Sequence, residues 1–550
     1  MHLGVDVGGT HTDAVLLGPA GPGRARLLAA AKAQTAERVI EGLTEVLDRL
    51  LTGRDPAEIG RLTVSTTLGL NSVLTGTADP VGALVTGGPG LELDPADWGP
   101  HFRALPGQQD HRGRVLVPVE PAQARAAAAE LAEQKVAALV TASKFGPKNP
   151  ELEEVMRRAA ETVFEGPIMA ASRLFGGLNL PRRLAGALLN AAVKRLYEAF
   201  IDDLSAVART FKLSCPIFFL KADGGVMDLQ AARERPALAL AAGPAASLLG
   251  LWASLDEADA EDVLMIDVGG TSTDLAILSR GRPLLVPGGL TLAGRPTLVR
   301  GLLTHSLALG GDTDLEPVDG SLRPAPRRRG PALAWRPAEA GQRPPTLTDA
   351  LNVLGLCRLG EVEASRRAFE LLRPGRAAEL AREGLDAFLA RLAAAVEDFV
   401  AQVNSRPVYT VSEFLVDWRL APRRAHLLGG PAETLAPWAA EALGLPVSAP
   451  ANAAAANALG AALARPTVEA ELYADTAHGT LSVPTLGRRR TIDQRYGLEE
   501  AKKELLDCLG GSTAQVTAAE CFAQIGDYGR SGRVIRVAAQ SAPGLEARLA

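Results

Sequence analysis

Asp6-Val7-Gly8-Gly9-Thr10-His11-Thr12-Asp13 returns 261 positions later (267 − 6) as Asp267-Val268-Gly269-Gly270-Thr271-Ser272-Thr273-Asp274. Between Asp6–Leu17 and Asp267–Leu278, eight of twelve positions are identical. Each copy follows a short apolar run, Leu3 to Val5 or Val263 to Ile266, and precedes another. That pattern predicts a strand, a tight Gly-Gly turn and a second strand, written twice. Repetition at domain-scale spacing predicts two half-sites facing each other across a cleft.

The residue types suit a polyphosphate. Gly-Gly removes two side chains, so backbone N–H groups can lie against phosphate oxygens. Thr10, Thr12, Thr271 and Thr273 add hydroxyl donors, with His11 and Ser272 in the same turns. Asp6, Asp13, Asp267 and Asp274 would repel bare phosphate, but they make sense if they hold Mg²⁺ or its waters. One of them could also orient or deprotonate an attacking group. A lone DVGGT describes an ordinary hairpin. Both copies retain both acids, which a mere turn does not need. No Gly-x4-Gly-Lys-Ser/Thr run is present, so this is not the strand–loop–helix phosphate cradle.

Paired DxGGTxTD hairpins resemble the two phosphate motifs of the actin, sugar kinase and Hsp70 superfamily. His426-Leu427-Leu428-Gly429-Gly430-Pro431-Ala432 resembles its adenosine motif, and Ala451 to Ala464 its small-residue connecting helix. Within that superfamily the chain is most similar to the hydantoinase A / 5-oxoprolinase family. Ser65-Thr66-Thr67-Leu68-Gly69-Leu70-Asn71 resembles its GTTxxTN segment, and Asn149-Pro150-Glu151-Leu152-Glu153 its NPxHE. Ala222-Asp223-Gly224-Gly225-Val226-Met227, Ala242-Gly243-Pro244-Ala245-Ala246 and Pro345-Thr346-Leu347-Thr348-Asp349-Ala350 are similar to its SNGG(L/I)M, SGPAAG and PTxTDA. Leu152 stands where the family often has His, Leu309-Gly310-Gly311-Asp312 replaces a longer GGGS stretch, and His11 replaces Phe.

The resemblance implies an α/β, two-lobed actin-like ATPase fold with ATP and Mg²⁺ between the lobes. Beyond the reach of the resemblance, from Pro466 on, short strands around one amphipathic helix, Leu498 to Leu509, read as a small appended C-terminal α/β domain. Adenine would lie towards Gly429 and Gly430. Asp13 and Asp267 would be the metal candidates, with Asp6 and Asp274 supporting metal or nucleophile. The turn residues Gly8, Gly9, Thr10, His11, Thr12, Gly269, Gly270, Thr271, Ser272 and Thr273 would hold phosphate. The implied reaction is ATP-dependent opening of a cyclic amide, hydantoin- or 5-oxoproline-like, through phosphorylation of its oxygen. Two alternatives stay open: a small-molecule kinase or ATP-driven ligase or carboxylase component, and an ATP-gated sensor or assembly subunit. A separate, hydantoinase B-like partner subunit is implied, and a small-molecule substrate.

At 550 residues, several domains are expected, since single cores rarely exceed about 250–300 residues. The expected division is a first lobe over 1–178, an inter-lobe helix over 179–213, a second lobe over 214–465 and the C-terminal domain over 466–550. Apolar residues make up 47% and charged residues 22%, an ordinary globular balance. A net charge of −5 offers no basic footprint for nucleic acid. The first strand is expected to start almost at Met1, so no leader is expected, and Cys215, Cys357, Cys508 and Cys521 form no CxxC pair. Both point to a reducing cytoplasm. Ala237 to Leu255 lacks charge, but Gly243-Pro244 interrupts it, so a buried helix starting near Pro244 is expected rather than a membrane span.

Helices are expected over about 35–51, 121–134, 150–164, 348–359, 361–372, 377–404 and 498–509. Leu315 to Pro345, dense in Pro, Arg and Gly, reads as an irregular loop or flap. Its Arg327-Arg328-Arg329 could grip an anion, or could be solvated loop arginines. His11 could donate to phosphate, transfer a proton or simply face solvent. His101 and His111 share a loop without a third ligand at motif spacing, so no metal is expected there. Asn71 and Asp223 read equally as cleft residues or as Asx-turn residues.

Overall fold

A computed structural model describes the chain except for residues 10, 35–38, 256–260, 327, 406–418, 511–512 and 526–530. The first motif is a hairpin of β1 (His2–Val7) and β2 (His11–Pro19), followed antiparallel by β3 (Arg24–Gln34). Helix α1 (Val39–Leu51) covers it, and β4 (Arg61–Thr66) runs parallel to β1. Every residue of β4 is buried, as a central strand flanked on both faces requires.

Helix α2 (Leu180–Thr210) packs its apolar stripe, Leu184, Val193, Phe200 and Leu204, into the core beneath this sheet. It thus belongs to the first core rather than standing between the lobes. β5 (Ile217–Leu220) and β6 (Val226–Asp228) extend the same sheet beside β4, giving the order β6-β5-β4-β1-β2-β3. The expected second-lobe start at 214 therefore moves towards the C-terminus, because β5 pairs with β4 and not with the second hairpin. A four-stranded parallel sheet is inserted, in the order Ile168–Ala170, Ala138–Ser143, Val81–Thr86, Phe102–Ala104.

Helix α3 (Ala242–Ser254) leads into the second lobe. It is the buried helix expected at Pro244, and no described helix is long and apolar enough to cross a membrane. β7 (Val263–Val268) and β8 (Thr273–Ser279) form the second hairpin, with β9 (Thr304–Leu307) added to β8. The segment expected to be irregular carries a small hairpin, Leu315–Val318 with Ser321–Pro324, whose Leu315 and Leu322 are buried. Helices α4 (Leu347–Val353) and α5 (Ala377–Asn404) pack beside it, and β10 (Arg424–Leu428) runs parallel to β7. Helix α6 (Ala456–Leu463) returns to the first sheet.

The α3–α6 crossing brings backbone directly against backbone. A Cβ on Gly250 would lie 2.0 Å from the Ala456 carbonyl oxygen, and one on Gly460 would lie 1.9 Å from that of Ala246. Gly4 of β1 is equally tight, 2.1 Å from the Ala458 oxygen. Small residues here let backbone touch backbone.

The C-terminal sheet runs Arg488–Thr491, Thr480–Val483, Glu469–Asp475, Ser531–Ser541, Ala514–Ile525, with the helix Leu498–Cys508 packed on it. A last strand, Arg548–Leu549, leaves this domain and pairs parallel with β3, closing the outer edge of the first sheet.

Candidate functional site

The two hairpins are built alike. Asp6 faces Asp13 across the first ladder, and Asp267 faces Asp274 across the second. The turns close the same way, with Gly8 N–H donating to the His11 carbonyl at 3.0 Å and Gly269 N–H to the Ser272 carbonyl at 2.9 Å. Thr10 lies outside the described residues. In the first hairpin Asp13 pairs with Lys32 of β3 at 3.0 Å. Asn71 leans on the turn, its Nδ2 3.2 Å from where a Cβ on Gly9 would sit. His11, half-buried beside Lys32, is held below its ordinary pKa by burial and by that neighbouring cation.

Thr12 and Thr273 do not join the turn surface. Both are fully buried, and the Thr273 hydroxyl donates to the Leu309 carbonyl at 2.5 Å. Each begins the inward face of its second strand, so each anchors its hairpin rather than reaching a ligand. Thr271, by contrast, is exposed at the tip.

The second turn is braced by the loop after β9. Gly311 N–H donates to the Gly269 carbonyl at 2.9 Å, and Asp312 N–H to the Gly270 carbonyl at 2.7 Å. Gly310 must be glycine for this approach, because a Cβ there would stand 2.6 Å from the Gly270 oxygen. Thr348 at the start of α4 holds Gly311 in turn through backbone and hydroxyl. The shortened Gly310-Gly311 stretch thus still supports the hairpin.

A row of polar atoms links the hairpins through the crossing helices. Ser247 of α3 donates to Asp267 Oδ2 at 2.6 Å and lies 2.7 Å from Asn457 Oδ1. Asn457 of α6 donates to Asp6 Oδ2 at 3.2 Å. Asp6 is only 5% exposed, and its Oδ1 reaches no donor among the described residues. Burial, with the like charges of Asp13 and Asp267, pushes its pKa up to about 7, and the nearby Ser65 and Asn457 offset this only partly. Burial also raises Asp267, and burial with Asp267 beside it raises Asp274 to about 7, against a hydrogen bond from Ser306. The carboxylates thus feel one another across the two hairpins.

Such a surplus of negative charge with an orphaned carboxylate oxygen fits a hydrated divalent cation. Among the described residues, no group of three acids, histidines or cysteines forms a ready-made cage. A partly hydrated Mg²⁺, which takes one or two carboxylates, needs none.

Gly429 ends β10 at φ +93°, where a Cβ would stand 2.2 Å from the Val268 oxygen and 3.1 Å from Asp267 Oδ1. Gly430 beside it opens onto free space. The predicted adenosine motif thus adjoins the second hairpin.

Other expected positions serve the scaffold. Leu152 is 1% exposed in the inserted domain's apolar core, and Glu153 accepts from the Ser143 and Ser172 backbones at 3.0 Å each. Asp223 makes the Asx turn, accepting from Gly225 N–H at 2.9 Å, and sits between Lys221 and Arg300. His101 bonds Gln134, and the His111 carbonyl accepts from Lys148. Sequence reasoning missed Ser247, Asn457, Lys32 and the Gly310–Asp312 brace. The polar residue in each Ala/Gly-rich helix was the available signal for the first two.

Comparisons with known proteins agree with this architecture. The hydantoinase/oxoprolinase model matches residues 183–470, and the hydantoinase/oxoprolinase N-terminal region matches 2–164. The caprolactamase subunit alpha of Pseudomonas jessenii is 25% identical over 382 residues, covering 64% of this chain and 54% of that protein. An uncharacterized protein of Methanocaldococcus jannaschii is 22% identical over 267 residues, covering 46% and 39%. The chain spans about half the length, or less, of these curated relatives. Among solved structures, nucleotide-free acetone carboxylase matches with a TM-score of 0.71 at 17% identity, over 99% of this chain and 87% of that one. The ATP-dependent caprolactamase of P. jessenii matches with 0.69 at 18% identity, over 98% and 87%. With the doubled hairpin, the crossing small-residue helices and a family match over more than half its length, this chain is a member of the hydantoinase/oxoprolinase family and has the two-lobed actin-like ATPase fold.

Proposed function

We propose that this chain uses ATP to open a cyclic amide. The observation that carries the reading is the pair of acid-bearing Gly-Gly hairpins joined through Ser247 and Asn457, with the open Gly430 beside the second. Gly8, Gly9, Gly269, Gly270 and the exposed Thr271 hold phosphate, and Gly429-Gly430 leave room for adenosine. Asp13 and Asp267 would hold Mg²⁺, which would neutralise charge on the phosphates. Asp6, with a pKa near 7, is poised to take or return a proton at neutral pH.

An amide is a poor electrophile because resonance feeds its carbonyl. Attack of the amide oxygen on the terminal phosphorus of ATP forms an O–P bond and releases ADP. Water then adds to the activated carbon, and the ring C–N bond breaks with a proton passing to nitrogen. A second water cleaves the resulting acyl phosphate to carboxylate and phosphate. Hydantoin, 5-oxoproline and caprolactam are the substrate class. A partner subunit, as the relative's name "subunit alpha" suggests for that protein, completes the enzyme.

A second reading keeps carbonyl activation but passes the activated carbon to a carboxylation. It is supported by Leu152, buried in apolar core where the family resemblance expects a His, so the substrate half departs from the pattern. The test is ATP turnover by the purified chain, with and without a co-expressed partner, against those three cyclic amides and against ketones with bicarbonate. ADP formed in step with ring-opened amino acid, and lost about 10²-fold or more in Asp13→Asn, is expected. ADP release that follows bicarbonate and ketone, with every ring left intact, overturns the first reading.

A further inference from the structure

Arg328 arrives from the Pro- and Arg-rich segment 57 residues beyond the second turn and lands on it. Its Nη1 donates to the Thr271 hydroxyl at 2.7 Å, Nη2 stands 3.0 Å from Asp312 Oδ2, and Nε donates to the Gly330 carbonyl at 3.0 Å. Its neighbour Arg329 is absorbed by Asp314 and Glu316, and Arg343 by Glu339, Asp314 and the Pro331 carbonyl. Arg327 lies outside the described residues. Arg328 is therefore the arginine of this segment whose placed guanidinium meets the hairpin.

We propose that Arg328 binds the phosphoryl group held at the Gly269–Ser272 turn. The proposal rests on the nucleotide reading above and adds a binding residue to that site. Three observations support it. The guanidinium is fixed from two sides, by Gly330 of its own segment and by Asp312, which is itself tied to the Gly270 carbonyl and to Ala332 N–H. Among the described residues, one N–H on each terminal nitrogen is left beyond the three contacts, enough for a forked grip on an oxyanion. The side chain keeps 26% exposure beside the exposed Thr271, so it is not sealed away as a structural pin. A phosphate among four carboxylates is favoured by a cation beside it. Lys32 stands at the first hairpin and Arg328 at the second.

A planar, permanently charged fork suits phosphate where a neutral capping residue would suffice to hold a turn. Asp312 does not cancel this role, because a guanidinium anchored by one carboxylate still presents its remaining N–H edge.

The experiment compares wild type, Arg328→Ala and Arg328→Lys by equilibrium binding of ATP, ADP and adenosine, with thermal unfolding of each protein without nucleotide. Arg328→Ala is expected to weaken ATP about tenfold or more, charge-assisted hydrogen bonds being among the strong ones, while adenosine affinity stays within twofold. Arg328→Lys, which keeps the charge and loses the fork, is expected to fall between. ATP affinity within twofold of wild type in Arg328→Ala overturns the proposal. So does a parallel loss of adenosine binding, or a large fall in unfolding temperature that Arg328→Lys shares, since either marks a structural role. Wild type that binds ATP but opens no ring defeats only the substrate reading. Wild type that binds no ATP defeats both.

Discussion

Asp6 concentrates the chemistry of the site in one side chain. It is a buried acid between two further acids, with one oxygen bonded to Asn457 and the other without a donor among the described residues. A carboxyl whose folded pKa is raised binds more protons in the folded than in the unfolded state between about pH 4 and 7. Stability must therefore fall as pH rises through that window, and a bound divalent cation must reverse the trend. Thermal unfolding between pH 4.5 and 7.5 is expected to show this decline without Mg²⁺, and Asp6→Asn to flatten it. An unchanged slope in that variant would show that Asp6 is not the group responsible. The acid itself was legible in the repeated motif. Its burial was not, because the residues set against it, Ser65 and Asn457, come from two distant segments. Thr12 and Thr273 make the same point in reverse. As motif residues they look equivalent to Thr271, and only strand pairing shows which face inward.

The element that sets the geometry is the crossing of α3 and α6. Its sequence, Ala- and Gly-rich on both sides, was readable as a connecting helix, and its start near Pro244 was readable too. The register was not, since a run of alanines carries no marker for which glycine meets which carbonyl. Gly460→Ala tests the packing. Helix propensity alone would favour alanine by about 1 kcal/mol. The added methyl, however, would sit 1.9 Å from a backbone oxygen that cannot rotate away. Overpacking of this kind costs about 1–3 kcal/mol or more, so urea denaturation is expected to show a net loss of stability. A net gain would mean that the helices separate freely. The long helix α2 shows the opposite limit of sequence reading. Its span was predictable from its apolar period, but not its place in the first core, because an apolar stripe does not say what covers it.

At the scale of the molecule, Asp223 is where three parts meet. It belongs to the first sheet's outer turn, bonds Thr467 at the start of the C-terminal domain at 2.8 Å, and faces Arg300 from the second lobe and Lys221 beside it. All three charged side chains are buried, and those of Lys221 and Arg300 are 8% exposed. Asp223→Ala would leave two cations without their carboxylate, and removing one partner of a buried pair costs about 3–5 kcal/mol. Limited proteolysis is expected to release the C-terminal domain from that variant faster than from Asp223→Asn, which keeps the turn. Equal resistance in both would mean that the domain is held elsewhere.

The strand Arg548–Leu549 brings one more property. Arg24 on β3 donates to the Leu549 carbonyl, a bond between residues 525 apart in sequence. β1, β2 and β3 are translated together, yet the outer edge of β3 stays bare until residue 548 has emerged. During translation that edge is an unpaired strand awaiting its partner. The order in which this protein is made is therefore not the order in which its first sheet is finished, and a nascent chain stalled short of that strand carries an open edge.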